Sequence, residues 1–248
     1  MKTAVIIVIF RTPESEIERL RGELQRFGLG GYSLHIIDNT GSGRGFAEGV
    51  NEGIRRGLKE NTDYFLVLNP DISLGKIRAA DIMEAQKHFD VWGAAMRQGG
   101  SLYFGGEIDK WRLSGGLLKT PPPRRFHSVD FVTGSFMMIK RKVIDTVGLV
   151  DERYFMYYED VDFCERARRV GFRIGIDAHH TYDHFETSRT YKKKAYFMAR
   201  NRLFFLFKYG TWQQKLRELL RIPKTIFEER MLIFTYIKTK FVKLISTA

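Results

Sequence analysis

A single cysteine, Cys164, stands in a chain of 248 residues, so no internal disulfide can form. This points to a reducing compartment, cytoplasmic by expectation, with Cys164 packed as a small apolar residue. No window approaches the 18 or more apolar residues that a membrane-spanning helix needs. The opening MKTAVIIVIFRTPES has one lysine and a short apolar run but turns charged at once, which suits a buried first strand better than a secretion signal. Acidic residues are scarce in one place only: residues 186–248 carry 15 Lys and Arg against 4 Asp and Glu, whereas residues 1–185 carry 26 against 25. The net charge of +12 therefore belongs to the C-terminal quarter. It lies in one amphipathic tail and not along an aromatic groove, so no nucleic-acid partner is expected. There is no internal repeat, and a hydrophobic fraction of 44% supplies the core of an ordinary globular protein.

What is present is an alternation. The β-branched run Ala4 to Phe10 reads as a strand buried on both faces, and a helix follows from Pro13 and Glu14 to about Phe27, with Ile17, Leu20, Leu24 and Phe27 along one side. Leu34 to Asp38 is a second strand, Phe46 to Leu58 a second helix, and Tyr64 to Asp71 a third strand ending in a proline turn. This order implies a right-handed, doubly wound α/β half. Helix is expected over Ile77 to Phe89, strand over Val91 to Met96, and loops or short hairpins through the glycines and Pro121-Pro122-Pro123. Strand returns over Phe131 to Lys140, helix over Val161 to Val170, strand over Phe172 to Asp177, and helix from Tyr191 onward.

Ligands of open α/β sheets bind beyond the carboxyl ends of the strands, where Asp38 and Asp71 both fall. The glycines after Asp38 and Asn39 do not spell G-x-G-x-x-G, because Gly41, Gly43 and Gly45 merely alternate. An acid at Asp38 could accept from a base N–H or a ribose hydroxyl, and Arg44 could reach a diphosphate; the plainer alternative is a turn with packing glycines. Asp71 could hold a hard divalent cation that also binds phosphate, or could simply form an Asn-Pro-Asp turn. Of the histidines near Asp183, His179 and His180 would point opposite ways on a strand, and His184 is the better ligand candidate. The run DERYFMYYEDVDFCERARRVG from Asp151 to Gly171 is the most acid-dense stretch and the expected seat of chemistry. Asp160 and Asp162, two apart, cannot both face one pocket of a helix.

In order, Asp38-Asn39, GFAEGVNEG with Asn51, LNPD with Asn69 and Asp71, TGSFMMIKR, the Asp151–Gly171 run, His184 and Ala199-Arg200-Asn201 resemble the family 2 glycosyltransferases of the GT-A fold, most of all their rhamnosyltransferase branch. The resemblance covers about residues 3 to 208. It implies a mostly parallel central sheet flanked by helices and the inverting transfer of a sugar from a nucleotide sugar donor, dTDP-rhamnose, a UDP-sugar or similar, to a glycan or lipid-linked acceptor in cell-surface polysaccharide synthesis. It implies Asp160 as the base, with Glu159 its rival, and Asp162 as a helix N-terminal charge. Donor contacts would come from Asp38, Asn39, Arg44, Asn51, Asn69 and Asp71, and the acceptor side from Asp151 and Glu152. A divalent cation, Mg2+ or Mn2+, would sit on Asp71 and His184. The chain departs from the family pattern at Asn69, where the first acid of D-x-D is missing, and at Phe10-Arg11, where an aromatic is usually followed by Asn. A catalytically inactive GT-A-like binding module is the alternative.

The division expected is a transferase domain over residues 1–210 and a basic amphipathic helical tail over 211–248. Trp212, Leu216, Leu219, Leu220, Ile226, Phe227, Ile233, Phe234, Ile237 and Phe241 alternate there with lysines and arginines. Such a face suits an anionic membrane surface, here the inner face of the cell membrane, or else packs on the domain or on a second copy in a homodimer.

Overall fold

The structure, a computed structural model, describes residues 2–185 and 191–221. Its first half follows the alternation of the sequence: β1 (Thr3–Ile9), α1 (Glu14–Phe27), β2 (Tyr32–Asp38), α2 (Phe46–Lys59) and β3 (Tyr64–Leu68). β1 pairs in parallel with β2 on one side and β3 on the other. Every residue of β1 is buried, since successive side chains feed opposite faces. Ala4, Ile6 and Val8 join the cluster under α2, while Val5, Ile7 and Ile9 join the one under α1.

The glycines of α2 serve this packing. A Cβ on Gly49 would stand 2.6 Å from Val8 Cγ1, and one on Gly57 2.7 Å from Ala4 Cβ, so the helix lies closer to β1 than any side chain would allow.

The second half is mixed. After β4 (Ile72–Ser73) and α3 (Ala79–Met83) come β5 (Val91–Gln98), β6 (Ser101–Tyr103), β7 (Gly106–Ile108), β8 (Gly115–Leu117), β9 (Phe126–Ser128), β10 (Phe136–Lys140), α4 (Arg141–Val147), α5 (Glu159–Arg169), β11 (Ile174–His184) and α6 (Tyr191–Tyr209). The main sheet runs β2-β1-β3-β10-β5-β11-β4. β10 is antiparallel to both its neighbours and β11 is parallel to β5. β7 and β8 form a separate hairpin.

Four boundaries differ from the sequence reading. The helix expected to Phe89 is α-helical only to Met83 and continues as a 3-10 turn over Glu84–Lys87. β3 stops at Leu68, leaving Asn69-Pro70-Asp71 as a turn, because a proline there has no N–H for the ladder. The strand expected from Phe131 begins at Phe136, and the preceding residues form a loop. β11 does not end at Asp177 but passes through an irregularity between Asp177 and Thr181 and runs on to His184. His179 and His180 therefore do not simply alternate: the Asp177 carboxylate accepts from the His179 N–H and pairs with His180 Nδ1 at 2.9 Å, on the side of Arg125.

Candidate active site

Four segments end at the same side of the sheet. β1 and β2 deliver Ile9 and Asp38 in register, and β3 delivers the Asn69-Pro70-Asp71 turn. The two-residue strand β4 then pairs antiparallel with the end of β11, setting His184 opposite Ile72 and so beside Asp71. Asp71 Oδ1 lies 3.4 Å from His184 Nε2, and the Asn69 amide nitrogen lies 3.4 Å from the same atom. His184 Nδ1 is buried without a hydrogen bond among the described residues.

Arg19 on α1 fixes this turn from behind. Its guanidinium donates to the carbonyls of Pro70 and Ile72, at 3.3 and 2.8 Å, and it pairs with Glu23, which also accepts from Ser73 Oγ and the Leu74 N–H.

Asp38 is exposed, and its carboxyl is held below the usual carboxylate range by the hydroxyl and N–H of Thr40. Arg44 folds back over the turn, donating to the Asp38 carbonyl at 3.1 Å and pairing with Glu52. Asn39 is buried: its amide nitrogen donates to the Gly45 carbonyl at 2.7 Å, and its Oδ1 has no partner among the described residues. Asn51, expected on the donor side, is placed otherwise. Its amide nitrogen donates to Val150 O and Glu152 Oε1, both at 2.8 Å, and its oxygen accepts from Val150 N at 2.9 Å. A buried amide with both ends engaged fastens α2 to the Val150 loop and presents nothing to a donor.

Glu159 and Asp160 open α5 behind an unusual turn. Phe155, Tyr157 and Tyr158 have φ of 60°, 67° and 71°, and none is glycine; each such position costs about 1–3 kcal/mol unless the surroundings enforce it. Asp160 Oδ2 accepts from the Gly134 N–H at 3.0 Å and Oδ1 from the Val161 N–H at 2.8 Å. Burial raises the Asp160 carboxyl above the ordinary aspartate value, against the pull of those two donors. Glu159 is raised further, by burial and then by the neighbouring Asp160 charge, and its Oε2 has no hydrogen-bond partner among the described residues. Two adjacent acids are thus pushed apart, with the anion-stabilising donors on Asp160.

Asp162 faces elsewhere, as the two-residue spacing requires. It is fully buried and accepts from Tyr154 OH, Tyr209 OH, Arg166 Nε and Lys208 Nζ. Its role is larger than a helix N-terminal charge: it ties α5 to α6. Asp151 and Glu152, expected on the acceptor side, have their carboxylates engaged within the chain, Asp151 by Arg153 and Lys208 and Glu152 by Asn51 and Arg55.

Between the Asp160 and Asp71 sides lies a hydroxyl cluster that sequence reasoning missed. Ser135 Oγ is 2.6 Å and Thr133 Oγ1 3.0 Å from Tyr182 OH, and the two are 2.8 Å from each other. Burial pushes the Tyr182 phenol up to about 12, with the Asp160 and Asp71 charges adding to the rise, so one hydroxyl senses both acids. Thr133 and Ser135 stood inside the quoted TGSFMMIKR, but a lone tyrosine past the predicted end of its strand carried no signal.

Among the described residues no three His, Cys, Asp or Glu gather as a metal site. The protein offers one carboxylate oxygen and one imidazole nitrogen. This fits a divalent cation whose remaining positions are filled by phosphate oxygens and water, since magnesium typically takes only one or two carboxylates.

No protein-family model matches the chain. Among curated relatives, it is 33% identical over 190 residues to the low-salt glycan biosynthesis hexosyltransferase Agl10 of Haloferax volcanii, covering 68% of this chain and 59% of that protein. It is 27% identical over 164 residues to the N-acetylglucosaminyl-diphospho-decaprenol L-rhamnosyltransferase of Mycobacterium tuberculosis, 54% of this chain and 53% of that one. It is also 37% identical over 71 residues to the rhamnosyltransferase WbbL of Escherichia coli, 27% of this chain and 26% of that one. The chain thus spans little more than half the length of the first two. In three dimensions it matches GalNAc-T7, a structure with UDP, GalNAc and Mn2+, at a TM-score of 0.51 and 13% identity, over 75% of this chain and 44% of that one, a likeness of fold alone. The chain belongs with the family 2 glycosyltransferases of GT-A fold, in their rhamnosyltransferase-like branch.

Proposed function

We propose that the protein transfers a hexose, rhamnose or a relative, from a nucleoside diphosphate donor to a hydroxyl of a glycan or lipid-linked acceptor, with inversion at the sugar carbon. The observation that carries this reading is the placement of two acid sites on either side of one hydroxyl cluster: Asp160 on two backbone N–H groups, and Asp71 against His184. A single displacement needs one base and a stabilised diphosphate, and no nucleophilic Ser or Cys. Asp160 takes the proton from the acceptor hydroxyl. Asp38 and Arg44 line the nucleotide and diphosphate side, with Asn39 behind them and Asn69 beside Asp71. Asp71 and His184 would hold a divalent cation, which supplies charge neutralisation for the leaving diphosphate. The relatives' names and the UDP and Mn2+ bound to the GT-A neighbour support the donor class.

The test is a thermal-shift screen of dTDP- and UDP-sugars with and without Mg2+ or Mn2+, paired with a transfer assay. A donor-specific rise in melting temperature that grows with metal, and shrinks in Asp71→Asn, is expected. Donor binding without transfer or donor hydrolysis would instead make this an inactive binding module.

The membrane proposal attaches to residues after Gly210. Trp212 and Leu220 are 69% and 75% exposed, Leu216 and Leu219 about half so, and Lys215, Arg217 and Arg221 alternate with them. Exposed Trp111 of the β7–β8 hairpin lies 5.9 Å from the Arg217 guanidinium and widens the face. Among the described residues no helix is long and apolar enough to cross a membrane. Ile226, Phe227, Ile233, Phe234, Ile237 and Phe241 lie outside the described residues. Aromatic, apolar and cationic groups on one face suit the surface of an anionic bilayer. Co-sedimentation with anionic vesicles is expected for the full chain and should be lost on deleting residues 211–248; unchanged association would sink the proposal.

A further inference from the structure

We propose that Asn201 is a positioning residue for this reaction: its side-chain amide holds the turn Phe155 to Tyr158 and thereby sets where Asp160 points. The inference rests on the reading of Asp160 as the base. Asn201 lies within α6 and is fully buried. Its amide nitrogen donates to the carbonyl oxygens of Tyr154, Met156 and Tyr157, each at 2.8 Å, and its Oδ1 accepts from Arg200 Nη1 at 2.7 Å. Two amide hydrogens shared among three carbonyls gather that stretch of backbone around one point. Without the donor, the buried carbonyl of Tyr154 and its neighbours would be left unsatisfied.

The backbone so gathered is one that side chains resist. Phe155, Tyr157 and Tyr158 all sit at positive φ without being glycine, and such a path persists only when its surroundings enforce it. Tyr158 is the N-cap of α5, and Glu159 and Asp160 are its first two residues. Nothing intervenes to absorb a change of direction, so a shift of the turn is a shift of the acids.

The same turn touches the donor half. The Phe155 carbonyl accepts from the Ala47 N–H at 3.4 Å, and a Cβ on Gly45 would overlap that carbonyl oxygen. Asn201 thus stands behind the junction of α2, α5 and α6. It serves Asp160 through the backbone.

The experiment measures kcat and donor KM for wild type, Asn201→Ala, Asn201→Asp and the double variant Asn201→Ala/Tyr157→Gly. Turnover in the two single variants should fall on the order of 100-fold, the effect of about 1 Å of misplacement, while donor KM stays near wild type. Glycine takes positive φ without steric cost, so Tyr157→Gly should return part of the lost kcat. Unchanged kcat, or kcat and donor affinity lost together with no recovery in the double variant, would overturn the proposal. Should Asn201→Ala fail to fold, Asn201→Ser keeps one donor and is read by the same split. A wild type that transfers no sugar would fail the proposed function alone. Hydrogen exchange over residues 154–158 then decides: faster exchange in the variant supports the anchoring, and equal exchange overturns it.

Discussion

Asp160→Asn is expected to lower turnover by about 10²- to 10⁴-fold, the usual contribution of a general base, while nucleotide binding measured by thermal shift stays close to wild type. The substitution is nearly isosteric. An asparagine oxygen can still accept one of the N–H groups of Gly134 and Val161, so the start of α5 keeps its place. What disappears is the site that takes a proton. The pH profile carries a second mark. Burial raises the Asp160 carboxyl above its ordinary value near 3.9, so the ionised base exists only above that raised value. Turnover should therefore rise with pH through the raised value and be lost as pH falls below it, with the ascending limb displaced upward from that of a free aspartate. In Asp160→Asn the limb should vanish with the activity. Full activity in this variant would move the role to Glu159, whose carboxyl is buried and held still more firmly in its protonated form.

The fold of the first half was legible because its signals are local. β1 reads as a run of β-branched residues with no polar break, and α1 spans the residues from Glu14 to Phe27 that the apolar spacing marks. The meeting of Asp71 with His184 was legible only as a family resemblance. In the fold it depends on a two-residue strand, β4, pairing with a stretch of β11 beyond the predicted end at Asp177. No periodicity announces a two-residue strand, and the irregularity after Asp177 hides the continuation. Asn51 shows the opposite failure. It lies in a motif that the resemblance assigns to the donor, yet its three hydrogen bonds to Val150 and Glu152 are long-range contacts that no local pattern reports. The hydroxyl cluster of Thr133, Ser135 and Tyr182 likewise requires the loop before β10 to face β11, a fact of sheet order alone.

Asp162→Asn should produce a large loss of stability, about 3 kcal/mol, read as a fall in the urea midpoint with an unchanged slope. The argument turns on what the substitution leaves behind. Asp162 is wholly buried and neutralises Lys208 at 2.6 Å and Arg166 at 2.9 Å while accepting from the hydroxyls of Tyr154 and Tyr209. Removing one charge from a buried pair costs about 3–5 kcal/mol, because the partner's desolvation is no longer offset. Two features hold the effect near the lower end: Lys208 and Arg166 keep 22% and 20% of their side-chain exposure, and each has another acceptor, Asp151 for Lys208 and the carbonyls of Val147 and Leu149 for Arg166. The contrast with the sequence reading is quantitative. A carboxylate that only complements a helix N-terminus contributes about 0.3–1 kcal/mol, so a loss of that size would return Asp162 to that role. A loss near 3 kcal/mol would instead mark the hub through which α6, and with it Asn201, is fixed against the helix that carries Asp160.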